Sequence, residues 1–215
     1  MEPTFWHQRW NANEIGFHEG APNALLVKHL PLLKLQKGQR VFLPLCGKTR
    51  DIHWLLAQGF QVVGAELSKL AVTQLFTDLQ VEPRISVDGA LTRYAIDNLD
   101  ILQGDIFDIT PEMLGPVDAI YDRAALVALP TPLRERYATH IMALTKTAPQ
   151  MLITFAYDQS IVNGPPFSVD SPEVARLYQA TYEISQLQSV DVPRGIKGKA
   201  PASETIQVLR PKKSA

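Results

Sequence analysis

Apolar positions in this chain switch between a strand rhythm and a helix rhythm, and the switches mark out its elements. Val41, Phe42 and Leu43 form a continuous apolar run, the pattern of a central parallel strand buried on both faces. Pro44 ends the run. Ile52, Leu55 and Leu56 then share one face of a helix, with Asp51 placed to cap its start and Gly59 where a C-terminal glycine belongs. Residues 61–66 give a second strand, followed by an amphipathic helix over about residues 68–79. Strand, helix, strand, helix is the signature of an α/β sheet with crossover helices.

The alternation then loosens. Residues 81–99 hold extra short strands or a loop before the apolar stretch at 99–105, which ends at Gly104 and Asp105. Residues 117–121 form a further strand, 133–146 a long helix, and 151–156 another strand rich in β-favouring side chains. Gly164, Pro165, Pro166 and Pro172 make residues 161–172 a loop. Two late apolar segments, 182–192 and 205–209, predict an antiparallel hairpin, with a flexible basic loop at 193–201 between them. Ahead of all this lies an aromatic-rich arm. Trp6 and Trp10 fall four apart on one helical face, and Leu25, Leu26, Leu30 and Leu33 suggest a helix interrupted at Pro31.

Composition narrows the class. With 46% hydrophobic and 20% charged residues among 215, the chain can bury a core and needs no disordered segment. One domain spanning residues 1–215 is expected. No apolar run reaches the roughly 18 residues of a membrane span, and the first residues lack a basic-then-apolar signal, so a cytoplasmic protein is expected. Cys46 is the single cysteine, which excludes a disulfide framework. The five histidines, at positions 7, 18, 29, 53 and 140, show no metal-ligand pairing, and His53 is expected to point outward from its helix. Twenty-one basic against 22 acidic side chains give no electrostatic case for nucleic acid. A small-molecule partner and a monomer follow as expectations.

In an open doubly wound sheet, ligands bind beyond the carboxyl ends of the strands where strand order reverses. The ends to inspect are 43–48, Glu66, 104–106 and 121–125. Glu66 follows Gly47 by 19 residues, the spacing of a carboxylate that accepts from a ribose diol; a solvated strand-end carboxylate fits equally well. A dinucleotide needs several glycines so that backbone amides can approach a pyrophosphate, whereas this turn has only Gly47, and Pro44 has no N–H. Gly47-Lys48-Thr49 is no P-loop either, because position 42 is Phe. A nicotinamide-dependent oxidoreductase is therefore the weaker reading, and a non-catalytic adenosine-ligand binding protein stands as a third. A cofactor with an adenosine and no phosphates, such as S-adenosylmethionine, asks only for close approach of one turn. Asp105 would then accept from the adenine amino group with Ile106 packing on the ring, or Asp105 simply caps the loop. Cys46 reads as a small buried thiol, since no base is placed to activate it.

The segments Phe5-Trp-His-Gln-Arg-Trp10, Gly16-Phe-His-Glu19, Leu43-Pro-Leu-Cys-Gly-Lys48, Val63-Gly-Ala-Glu-Leu-Ser68, Gly104-Asp-Ile-Phe107 and Tyr121-Asp-Arg-Ala-Ala-Leu126 have to be taken together. Over essentially its whole length the sequence resembles the bacterial thiopurine S-methyltransferases, a branch of the class I S-adenosylmethionine-dependent methyltransferases. The resemblance implies a Rossmann-like α/β sheet, mostly parallel with a C-terminal antiparallel hairpin and helices on both faces. It implies S-adenosylmethionine as cofactor, contacted by Trp10, Leu45, Glu66 and Arg123, with Gly47, Asp105 and Ile106 around the adenosine. It implies a lid made by residues 1–35, including Phe17, and an acceptor that is an aromatic or heterocyclic thiol, with small selenium or tellurium compounds also allowed. Arg123 would pair with the cofactor carboxylate or steady the acceptor, or else form an ion pair with Asp122. Arg194 reads as part of a solvated basic loop.

Overall fold

A computed structural model describes residues 3–213, which divide after Ile120 into two units.

The first unit begins with helix α1 (Pro3–Asn11), then α2 (Ala24–His29), which passes at Leu30–Leu33 into a 3-10 turn where Pro31 forbids further α-helix. Asn23 caps α2 by accepting the Leu25 and Leu26 N–H groups. Strand β1 (Arg40–Leu43) leads into helix α3 (Arg50–Ala57), β2 (Gln61–Glu66) and helix α4 (Lys69–Leu79). The cap of α3 is Thr49 rather than Asp51: its hydroxyl accepts the Asp51 N–H at 3.3 Å. Asp51 is buried and has another task, accepting the Asn23 N–H at 2.7 Å and so tying the base of the N-terminal arm to α3. His53 also departs from expectation. It is half-buried, with Nε2 3.2 Å from Arg50 Nη1.

Residues 81–99 resolve into a hairpin, β3 (Arg84–Asp88) and β4 (Leu91–Ile96), before β5 (Leu99–Gln103). The order is β3-β4-β5-β2-β1-β6, with β6 at Ala119–Arg123. β5, β2, β1 and β6 run parallel, and the edge hairpin is antiparallel. Because β2 lies on one side of β1 and β6 on the other, strand order reverses at the end of β1. Strand β6 starts two residues later than expected. The Asp118 carboxylate takes the Arg40 N–H at 2.7 Å, and regular strand geometry begins only beyond it. Phe42, Val63 and Ile101 are fully buried, as the apolar runs required. Gly64 sits opposite Ile101 because a Cβ there would lie 2.7 Å from both Cys46 Sγ and Ile101 Cδ1.

In the second unit, β6 ends at Arg123 and the chain continues into helix α5 (Thr131–Leu144), β7 (Gln150–Tyr157), α6 (Ser171–Tyr178), β8 (Tyr182–Asp191) and β9 (Ala202–Pro211). The late segments do form the antiparallel hairpin, and β9 also pairs antiparallel with β7. The pattern did not announce α6. Pro172 reads as a breaker, yet it occupies the first helical turn, where no N–H is needed, behind the cap Asp170. The 193–201 segment is not a free loop: Ile196 pairs with Ala200, both are buried, and Lys197 Nζ donates to the Asn163 carbonyl at 3.0 Å. Arg194 within it is exposed. Among the described residues, no helix is long and apolar enough to cross a membrane.

Candidate active site

The turn after β1 carries the densest constraints in the first unit. Leu45 has φ +47°, a left-handed conformation uncommon for a branched side chain, and Gly47 has φ +54°. Between them Cys46 donates its N–H to the Ala65 carbonyl at 2.9 Å and buries its thiol. Burial, with Glu66 adding its negative field, pushes that thiol well above the usual range. It is a packed group, as its lack of a partner base suggested.

Glu66, the last residue of β2, closes the turn. Its Oε2 accepts the Gly47 N–H at 2.7 Å and its Oε1 accepts the Ser68 N–H at 2.7 Å. It is buried, so it is not the solvated strand-end carboxylate that the spacing also allowed. Burial raises its pKa to about 7 against the pull of those two backbone donors. A carboxylate offers about four lone-pair positions, and the Gly47, Ser68 and Leu67 N–H groups directed at it do not fill them, so acceptor capacity remains for a ribose hydroxyl. Ser68 is a contact the sequence reading missed. Its hydroxyl caps α4 by accepting the Ala71 N–H while its own N–H is held by Glu66. The Ser at a helix start two residues after an acidic strand end was the available signal.

Over this turn lie the aromatics of the arm. A Cβ on Gly47 would come within 3.1 Å of Trp10 Cζ2 and 3.9 Å of Phe17 Cε2, so only glycine lets Trp10 approach the backbone so closely. The Trp10 and Phe17 rings meet edge to face at 5.7 Å, and Trp6 contacts Phe17 at 5.9 Å. Trp10 is buried, whereas Phe17 is half-buried.

At the end of β5, Gly104 donates its N–H to the Glu66 carbonyl at 2.9 Å, so this strand end is fixed beside that of β2. Asp105 is exposed and caps the 3-10 turn Ile106–Asp108 through the Phe107 N–H at 3.0 Å, while Ile106 is buried. The capping contact is the loop role foreseen as an alternative, and it engages Oδ1. Trp10, Phe17, Gly47 and Glu66 thus form one continuous group in the first unit, with Leu45, Asp105 and Ile106 at the flanking strand ends. Arg123 belongs to the second unit, where it is half-buried as the last residue of β6. Its neighbour Asp122 is fully buried and accepts from the Leu126 N–H and the Tyr137 hydroxyl.

The arrangement fits S-adenosylmethionine better than a dinucleotide. It has one tight glycine turn, a buried carboxylate with spare acceptor capacity, aromatic cover, and no multi-glycine cradle for phosphates. Comparison with known proteins decides the family. The thiopurine S-methyltransferase profile matches residues 1–210. The chain belongs to the thiopurine S-methyltransferase family. Thiopurine S-methyltransferase of Xanthobacter autotrophicus is 56% identical over 210 residues, 97% of this chain and 99% of that one. The Gluconobacter oxydans protein of the same name is 46% identical, covering 97% and 94%. Solved structures agree on the fold. A SAM-dependent methyltransferase from Anabaena variabilis aligns with TM-score 0.63 at 17% identity, covering 97% of this chain and 95% of that one. Burkholderia thailandensis 1,6-didemethyltoxoflavin-N1-methyltransferase, solved with S-adenosylhomocysteine, gives 0.64 at 17%, covering 98% and 87%. The α/β class I methyltransferase fold expected of the family is the one observed.

Proposed function

We propose that this chain transfers a methyl group from S-adenosylmethionine to the sulfur of aromatic or heterocyclic thiols, thiopurines among them. The observation that carries the reading is the closure of the Gly47 turn by the buried Glu66 carboxylate beneath Trp10. Family membership supports the choice of reaction, since relatives covering nearly the whole chain bear the name thiopurine S-methyltransferase.

When bound, S-adenosylmethionine supplies a methyl group on a positively charged sulfonium. Glu66 would accept from the ribose hydroxyls while still holding Gly47 and Ser68, and Asp105 and Ile106 would border the adenine. Trp10 and Phe17 shield the turn from water and offer flat apolar faces to a flat acceptor. An approaching thiolate and a sulfonium lose charge as they react, so a dry, aligned site favours the displacement. An aryl thiol is ionised near neutral pH and needs no general base, and the same holds for soft selenium and tellurium anions, which extend the acceptor class. Arg123 pairs with an anionic group, either the cofactor carboxylate or the acceptor, through its planar fork. We place the enzyme in the cytoplasm as a monomer, a setting that suits one unpaired, buried cysteine.

A screen for S-adenosylhomocysteine release across aryl thiols, thiopurines and reduced chalcogen species tests the reading. Turnover with thiols supports it. Binding of S-adenosylmethionine without turnover on any acceptor overturns it in favour of a ligand-binding protein, and selective binding of a nicotinamide cofactor overturns it altogether.

A further inference from the structure

The turn that follows Arg123 is held by a polar device with no packing rationale. Ala119, Ile120 and Tyr121 bring β6 to its end with buried apolar side chains, and then Asp122 places a carboxylate where no part of it reaches solvent. Its Oδ1 accepts the Leu126 N–H at 3.1 Å, its Oδ2 accepts the Tyr137 hydroxyl at 2.7 Å, and the Ala125 N–H also points at it. Tyr137, on α5, is itself fully buried. Between Asp122 and these backbone donors the chain passes through Ala124 at φ +63°, a left-handed conformation adopted by a residue that is not glycine. Such a conformation persists where its surroundings over-determine it. Burying a carboxylate is costly, and an apolar side chain would finish a strand end at least as stably. The acid is therefore explained by what it fixes rather than by stability: two N–H groups of the turn and one hydroxyl from α5 converge on it and lock the backbone that begins at Arg123.

We propose that Asp122 and Tyr137 act as a positioning clamp for Arg123, setting the strand-end turn so that the guanidinium is presented in one orientation. The proposal rests on the role given to Arg123 above. Neither clamp residue touches cofactor or acceptor in this scheme. Both act through the backbone of 123–126, and a one-ångström misplacement of a positioning group is enough to cost about a hundredfold in rate.

The test is a mutant cycle on the full chain with S-adenosylmethionine and a thiopurine. It uses Tyr137→Phe, which removes one hydroxyl, and Asp122→Asn, which keeps the shape, each alone and combined with Arg123→Ala. Near-ultraviolet circular dichroism and melting temperature establish folding, and kcat and KM for each substrate are measured separately, with cofactor affinity by calorimetry. The clamp predicts a loss of about tenfold or more in kcat/KM for Tyr137→Phe in the parent, accompanied by faster amide exchange at 123–126, and little further loss once Arg123 is already Ala. Equal losses with and without Arg123, or no loss in either, overturn the clamp while leaving Arg123 in place. If Arg123→Ala alone keeps full turnover and affinity, the reading of Arg123 fails and the clamp fails with it, a result read from a single variant before the cycle is closed. Should Asp122→Asn not fold, Tyr137→Phe decides the matter alone.

Discussion

Replacing Glu66 by Gln tests the chemistry of the cofactor turn with the least change in shape. In the parent protein both carboxylate oxygens accept backbone N–H groups at 2.7 Å, one from Gly47 and one from Ser68. The amide has only one acceptor oxygen, so its NH2 must face one of those donors. Burial raises the Glu66 pKa from 4.5 to about 7, which has two consequences of opposite sign. For the ligand-free protein the raised value favours the protonated form: the stability this group contributes is fully present below about pH 4.5 and is lost as pH rises through about 7, a swing of about 3 kcal/mol. For the liganded protein, ribose hydroxyls donate to the carboxylate and favour the charged form, so affinity should rise with pH across the same window. Each hydrogen bond to a charged acceptor is worth about 1.5–3 kcal/mol, so at pH 8 Glu66→Gln should weaken S-adenosylhomocysteine binding by about 2–4 kcal/mol, or 30- to 1,000-fold. Calorimetry at pH 6, 7 and 8 should show affinity tightening with pH in the parent and a flat response in the variant. Equal affinity in the two proteins at pH 8, or a parental pH slope that survives in Glu66→Gln, would refute the assignment of Glu66 to the ribose.

Three further outcomes are expected. Gly47→Ala forces φ +54° on a residue with a Cβ placed 3.1 Å from Trp10, so it should cost about 1–2 kcal/mol of stability in thermal melts and shift the Trp10 fluorescence. Adding S-adenosylhomocysteine should slow hydrogen exchange over residues 5–20 if the arm closes as a lid, and equal protection with and without ligand would leave Trp10 as fixed cover. Arg123→Lys keeps the charge and loses the fork, so a bidentate contact predicts a loss approaching that of Arg123→Ala, whereas a small effect in steady-state kinetics would mean that Arg123 supplies only a positive field.

Much of this architecture could be read from the chain because its central strands are apolar throughout. Val41, Phe42 and Leu43, and the 61–66 run after Gly59, have no other sensible placement. Most of the misreadings have one cause. Side chains that hydrogen-bond to backbone change the meaning of a position without changing its hydrophobic pattern. Asp51 reads as a helix cap but ties Asn23, and Asp118, read as part of a strand, sits just before β6 and takes a backbone donor of β1 on its side chain. Pro172 reads as a breaker because proline forbids a helix interior, yet the first turn accepts it. Glu66 shows the limit most clearly. The spacing of 19 residues pointed to a ribose contact, but only the fold reveals that the same carboxylate ties together the Gly47 turn and the start of α4. The Asp122–Tyr137 contact joins residues 15 apart on a strand end and a helix, and no local pattern announces it.

The central claim is methyl transfer to sulfur, and the most direct measurement follows the methyl group itself. Incubating the protein with methyl-labelled S-adenosylmethionine and a thiopurine, and locating the label in the product by tandem mass spectrometry, should show the methyl on sulfur in one-to-one ratio with S-adenosylhomocysteine formed. Label on a ring nitrogen, or no labelled product from protein shown to be saturated with S-adenosylmethionine, would contradict it.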